Sequence, residues 1–152
     1  MMCLQNRCAC MICTAVPTEA VDIVWEDVSL MLAKAVDTSK GKFHIQDLYE
    51  DLLEGKYNLW LILDDKGDDK VIAAITTRII NYPNRNAMAM DWVGGKRMSE
   101  WLPTAMKTLI AFAKDCNCKH LEGFGRKAWI KVLSRYNWKP EYIAYRMEID
   151  NG

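Results

Sequence analysis

Residues 87–125 read AMAMDWVGGKRMSEWLPTAMKTLIAFAKDCNCKHLEGFG, and their order decides the fold. An apolar stretch, Ala87 to Val93, runs straight into Gly94-Gly95-Lys96-Arg97. A long helix is predicted from about Ser99 to Cys116. Leu102, Met106, Leu109, Ile110 and Ala113 recur on one of its faces. Pro103 falls near its start, where a missing amide donor costs least. His120 to Phe124 then reads as a short strand. Two neighbouring strands joined through a helix must cross over, which predicts a parallel pair.

Upstream, residues 12–16 (ICTAV) read as a strand, and Pro17-Thr18 opens a helix. Val21, Val24, Trp25, Val28, Met31, Leu32 and Ala35 fall on one helical stripe. Lys40-Gly41-Lys42 breaks it. Ile45, Leu48, Tyr49, Leu52 and Leu53 repeat the spacing in a second helix, with Gly55 as its stop. Tyr57 to Leu63, Lys70 to Ile80 and Ala87 to Val93 are strands divided by short polar turns, which predicts an antiparallel meander. Downstream, Arg126 to Tyr136 reads as a helix with Trp129, Val132 and Leu133 inward and Asn137 as a left-handed cap. Tyr142 to Ile149 reads as a closing strand. The order β-α-α-β-β-β-α-β-α-β predicts an α/β chain of α+β character, a mixed sheet flanked by helices. Residues 11–152 make a single domain, and residues 1–10 are expected to be a flexible leader.

With 152 residues, 51% hydrophobic and 26% charged, the chain has the balance of a globular domain and not of a disordered one. Twenty Lys and Arg against twenty Asp and Glu exclude a generally basic nucleic-acid binder. The neutral total is unevenly spread. Residues 18–70 hold 13 acids and 6 bases, a balance of −7, and residues 94–140 hold 10 bases and 3 acids, a balance of +7. A polyanionic ligand would be drawn to that second segment. The apolar runs Tyr57–Leu63 and Val71–Ile75 fall far short of the ~20 residues that span a bilayer. The first residues lack the apolar core of a secretory signal, so a cytosolic protein is expected.

Six cysteines stand at 3, 8, 10, 13, 116 and 118. Cys8-x-Cys10-x-x-Cys13 could supply thiolates to zinc, with Cys3 or the Cys116-x-Cys118 pair completing a tetrahedron, as in a zinc-stapled interaction domain. The C-x-C spacing is not the usual C-x-x-C knuckle, so zinc is not expected, and reduced thiols are the simpler reading. His44 and His120 have no evident carboxylate or nucleophile partner in sequence. Trp60, Trp92, Trp101 and Trp129 read as core.

A strand that ends in Gly-Gly-Lys-Arg and enters a helix can hold a phosphate. Glycines admit close approach of backbone amides, the helix N-terminus adds its unpaired amides, and two cations add charge. The same glycines would also suit an ordinary tight turn.

The segment 87–125, together with KAWIKVLSRYNWKPEYIAYRMEI (127–149), resembles the Gcn5-related N-acetyltransferase (GNAT) superfamily. The likeness spans residues 12–149. The first segment looks like the family's strand, pyrophosphate loop, helix and strand, and Trp138-Lys139-Pro140 stands where its ending has Phe-Lys-Pro. Size and Trp content also resemble the small GNAT-like proteins of tailed bacteriophages. The resemblance implies an acetyl-CoA co-substrate lying in a cleft where two parallel strands splay. Its pantetheine would pair with Asp91, Trp92 and Val93, and its pyrophosphate would rest on Gly94, Gly95, Lys96, Arg97 and Met98. An amine acceptor would attack the thioester with help from a general base. The loop departs from the family's Gln/Arg-x-x-Gly-x-Gly/Ala pattern, and Leu133 stands where the family commonly has its acid, a Tyr.

Asp91, the one acid in an apolar strand, is a candidate base whose burial could raise its pKa. Strict alternation would instead turn it to solvent, away from Met88, Met90 and Trp92. Glu122, beside the implied cleft, is the second candidate, or else an exposed strand residue. The functional expectation is an acetyl-CoA-dependent N-acetyltransferase in the cytoplasm of its cell or of a phage host. The alternative is a catalytically silent GNAT-fold binding or structural protein in a phage particle, with phage structural proteins as partners.

Overall fold

The computed structural model describes residues 11–66 and 70–149. Its elements are β1 (Met11–Val16), α1 (Val21–Val36), α2 (Ile45–Leu53), β2 (Asn58–Asp64), β3 (Lys70–Asn81), β4 (Asn86–Gly95), α3 (Met98–Asp115), β5 (Cys118–Glu122) and α4 (Trp129–Leu133). The expected leader, residues 1–10, lies outside the described residues.

The strands form one sheet in the order β1-β2-β3-β4-β5. The first four pair antiparallel, and β4 pairs parallel to β5 across the α3 crossover. The mixed sheet with flanking helices is the one its sequence order predicts. Alternation along the strands divides the core in two. Leu59, Leu61 and Ala74 face α1 and α2, where Val28, Leu32, Val36, Leu48 and Leu52 are buried. Trp60, Ile62, Ile75, Met88 and Met90 face α3. Burying each such side chain contributes roughly 1.5–3 kcal/mol.

Local chemistry sets the boundaries. The backbone amide of His44 donates to Asp47 Oδ2 at 2.9 Å, satisfying one donor that α2's first turn leaves open. Gly55 closes that helix at φ 77°. In α3 the buried stripe is Trp101, Leu102, Ala105, Met106, Leu109 and Ala113. Ile110 lies at its margin, exposed, and not on the core face expected for it. Pro103 is the sixth residue of α3, not a first-turn residue, so Ser99 C=O receives no amide from it.

Three boundaries differ from expectation. Strand β5 is Cys118–Glu122 and not 120–124, because left-handed Asn117 (φ 61°) turns the chain at once out of α3. Helix α4 is one short turn, and Ser134–Tyr136 continues it as a 3-10 turn ended by left-handed Asn137, the predicted cap. Residues 142–149 form no strand: among the described residues no neighbouring strand supplies the ladder hydrogen bonds.

Candidate active site

Strand β4 separates from β5 partway along its length. The parallel ladder joins Asn86–Ala89 to Cys118–Glu122 and ends there. From Met90 to Gly95, β4 keeps β3 on one side and has no β5 on the other. Just past β5, Gly123 keeps the chain close to β4, since a Cβ there would stand 2.8 Å from the Met90 carbonyl oxygen.

The β3–β4 ladder shifts at the same level. Thr76 pairs with Trp92 but Thr77 pairs with Met90, so Asp91 is an extra residue on β4. Simple alternation fails here. Met90 and Val93 pack on the α3 side, while Trp92 packs on the α1/α2 side and its ring meets Phe43 edge-on. Asp91 is not turned to solvent. Its side chain is 8% exposed and accepts from Arg78, Nε to Oδ2 at 2.6 Å and Nη2 to Oδ1 at 3.4 Å. Burial opposes charge on Arg78, yet the hydrogen bond and charge of Asp91 outweigh it and raise its pKa. The Tyr57 ring lies 6.0 Å from the guanidinium. Burial, then the Asp91 charge, pushes the Tyr57 phenol up.

Arg78, Ala89 and Glu122 form one row across three strands, on the face that Asp91 shares. Glu122 is not a solvated strand residue. Tyr82 Oη donates to its Oε2 at 2.7 Å, and His120 Nε2 lies 2.9 Å from its Oε1. The Tyr82 and His120 rings stack with centroids 6.4 Å apart. Burial pushes the Glu122 carboxyl up, but the bonds from Tyr82 and His120 prevail and hold it below the usual carboxylate range. His120 Nδ1 is buried without a hydrogen-bond partner. Sequence reasoning missed His120, Tyr82 and Arg78. The i, i+2 spacing of His120 and Glu122 on one strand face was the signal that could have found the first.

At the far end of β4 the glycines have a packing role. Gly94 and Gly95 lie inside the strand and not in a loop. A Cβ on Gly94 would stand 2.2 Å from the Met31 carbonyl oxygen, and one on Gly95 (φ +125°) 2.4 Å from Ala73 Cα. They let α1 and β3 close on β4. The Lys96 amide is spent on Ile72 C=O at 2.9 Å. Arg97, left-handed at φ 61°, leads into α3, and its guanidinium holds Asp64 at 3.0 Å and Glu100 at 2.8 Å. Those two carboxylates raise its pKa. Among the described residues Lys96 forms no ion pair. The amides of Met98 and Ser99 begin α3, where helix geometry leaves them without intrahelical acceptors. Among the described residues this turn thus offers one uncommitted cation, one committed cation and two amides, fewer anion-binding groups than the sequence suggests.

Of the cysteines, 3, 8 and 10 lie outside the described residues. Burial pushes the Cys13 thiol up to about 11, and burial with neighbouring Cys116 raises that of Cys118. No group of three or more His, Cys, Asp or Glu among the described residues is placed to hold an ion. No described helix is long and apolar enough to cross a membrane.

No family model matches the chain, and no curated protein matches it. Solved structures do. A probable acetyltransferase superposes with a TM-score of 0.69 at 10% identity, over 93% of this chain and 99% of that one. An aminoglycoside acetyltransferase from an uncultured soil metagenomic sample, in complex with sisomicin, gives 0.63 at 7% identity over 93% and 98%. A GNAT family acetyltransferase from Staphylococcus aureus gives 0.58 at 13% identity over 91% and 98%. Across nearly its whole length, the chain thus shares the fold of GNAT acetyltransferases.

Proposed function

We propose that this protein transfers an acyl group, acetyl in the first instance, from a CoA thioester to an amine. The observation that carries the reading is the parting of β4 from β5 at the level of Ala89 and Glu122, with Asp91 and Glu122 on one face beside it. In the reaction the amine nitrogen bonds to the thioester carbonyl carbon and the C–S bond breaks. The amine gives up a proton and the departing thiolate takes one.

The pantetheine would lie along Asp91, Trp92 and Val93. The diphosphate would lie toward Gly94, Gly95 and Met98, with Lys96 as the principal cation. Arg97 contributes less, because Asp64 and Glu100 already hold it. Glu122, ionised at neutral pH, attracts the cationic amine and accepts its proton. Asp91, locked to Arg78, positions rather than abstracts. Holding amine and thioester together supplies much of the rate, which suits a site with Leu133 where the family's Tyr would stand. The reading goes with a reducing cytoplasmic setting, in which Cys13, Cys116 and Cys118 remain thiols.

Calorimetric titration with acetyl-CoA tests it. Saturable binding with Kd below about 1 mM is expected, weakened about five- to tenfold in Lys96→Ala, the scale of one charge-assisted contact. Glu122→Gln should bind as wild type yet release CoA thiol in the presence of a polyamine on the order of 100-fold more slowly. No heat at millimolar acetyl-CoA overturns the reading. Binding indifferent to Lys96→Ala overturns the diphosphate assignment.

A further inference from the structure

The segment after Pro140 is anomalous. Tyr142, Ile143, Tyr145, Met147 and Ile149 are 66%, 74%, 91%, 82% and 78% exposed. Scattered apolar residues on a surface are ordinary, but five within eight residues outside any helix or strand are not. Ile143, Tyr145, Met147 and Ile149 alternate with Ala144, Arg146 and Glu148, which is the pattern of a strand with one apolar and one polar face. The segment is held at its beginning, where Trp138 packs on the α3 core, and at Arg146, whose Nη1 donates to Lys40 C=O at 3.0 Å. The second contact ties it to the α1–α2 connection, and among the described residues it makes no ladder with its own β5. Meanwhile β5 is a sheet edge, paired among the described residues with β4 alone.

We propose that residues 141–149 add as a sixth strand to the β5 edge of a second copy of this chain, and receive the same strand in return. Among the described residues each chain carries one unpaired segment of strand pattern and one unpaired edge, so a reciprocal pair about a two-fold axis satisfies both. The faces match. On β5, Leu121 joins the α3-side core while His120 and Glu122 occupy the opposite face. A strand laid beside it continues the first row with Ile143, Tyr145, Met147 and Ile149, and the second with Arg146 and Glu148. That register puts the Arg146–Glu148 ion pair of the tail on the row of His120 and Glu122. A slip of one residue would put the apolar row over the charged face. Four large apolar side chains per tail bury roughly 500 Å² of the tail and a similar area of the edge that receives it, hence about 2,000 Å² in a reciprocal pair, the size of a specific interface.

The test is the mass in solution by light scattering on the eluting protein, from roughly 5 to 200 μM, alongside amide hydrogen exchange. A dimer is expected, with exchange protection in residues 142–149 and in β5 that deepens as the dimer fills. The double variant Ile143→Asp/Tyr145→Asp and the chain ending at Pro140 should both be monomers with wild-type circular dichroism. These residues are exposed within the single chain, so neither change touches its core. A wild-type monomer at 200 μM overturns the proposal, whether residues 142–149 are then protected, meaning the strand folds onto its own β5, or not. A dimer that survives both variants overturns it too. Acetyl-CoA binding is not part of the readout, so the proposal stands or falls apart from the enzymatic one.

Discussion

Gly94 shows how one residue type serves two arguments. As sequence it suggests a phosphate loop, but its missing Cβ is needed because the Met31 carbonyl would stand 2.2 Å away. The obstacle is backbone of α1 and cannot rotate aside. Gly94→Ala should therefore destabilise the fold by about 2–3 kcal/mol, the scale of overpacking, read as a lower urea midpoint at unchanged slope. The Arg78–Asp91 pair makes a second prediction at this scale. Arg78→Met strands a carboxylate that is 8% exposed, but the guanidinium itself is 35% exposed, so water softens the loss. A cost of about 2 kcal/mol is expected, below the 3–5 of a fully buried pair. Asp91→Leu added to Arg78→Met should recover part of it, a non-additivity that a double-mutant cycle measures. Glu122 predicts a pH effect. Its carboxyl is more acidic folded than unfolded, because the bonds from Tyr82 and His120 outweigh burial. Its stabilisation is thus complete above the ordinary glutamate range and is lost as pH falls through its own lower pKa. The gap in unfolding midpoint between wild type and Glu122→Gln should be widest near pH 7 and should close as pH falls through and below the lowered pKa of the folded carboxyl. A gap that widens in acid contradicts the assignment.

Among the elements, helices were the most legible. The stripes of α1, α2 and most of α3 are local: a face of period 3.6 needs only something apolar to meet. Strand existence was legible for the same reason, and a parallel β4–β5 pair followed from the helix between them. Register was not. The bulge at Asp91 arises from how β3 lies against β4, and nothing in AMAMDWV announces an extra residue. Alternation set Asp91 opposite Met88 and Met90, as the structure does, but it put Trp92 on the wrong face and read Asp91 as solvated, and its partner Arg78, thirteen positions away, went unnoticed. Residues 142–149 failed in the opposite way. Their alternation is as clear as any in the chain, but a strand is defined by its neighbour, and the sequence does not say which strand that is. Chain beyond α4 is anchored first at Trp138, whose Nε1 donates to Met106 Sδ at 3.4 Å and whose ring packs on the α3 core. Trp138→Ala should cost about 2 kcal/mol, less than a fully buried Trp because the ring is only half-buried. It should also raise the exchange rate of amides from Asn137 onward, a local loosening that leaves the β1–β4 ladders protected.

For the whole molecule, the net charge of zero conceals a division that follows the sheet. The acidic segment, residues 18–70, supplies α1, α2 and β2, so most of its carboxylates surround one face. The basic segment, residues 94–140, supplies α3, β5 and α4 around the other face and the cleft edge. A ligand with several phosphates is attracted by the second and repelled by the first, which orients it before any contact forms. This long-range term has to compensate for a sparse cradle, since Lys96 alone is uncommitted and Arg97 already shares its charge with two carboxylates. Acetyl-CoA affinity should consequently depend on salt more steeply than one lysine accounts for. Raising ionic strength from about 0.02 to 0.3 M shortens the screening length from roughly 20 to 6 Å, enough to remove attraction beyond the first contacts. A loss of about tenfold or more in affinity is expected over that range for the wild-type protein. In Lys96→Ala the loss should shrink but persist, because α3, β5 and α4 still carry their cations. Were affinity flat with salt in both proteins, the separation of charge would have no part in binding, and recognition would rest on the pantetheine contacts along β4.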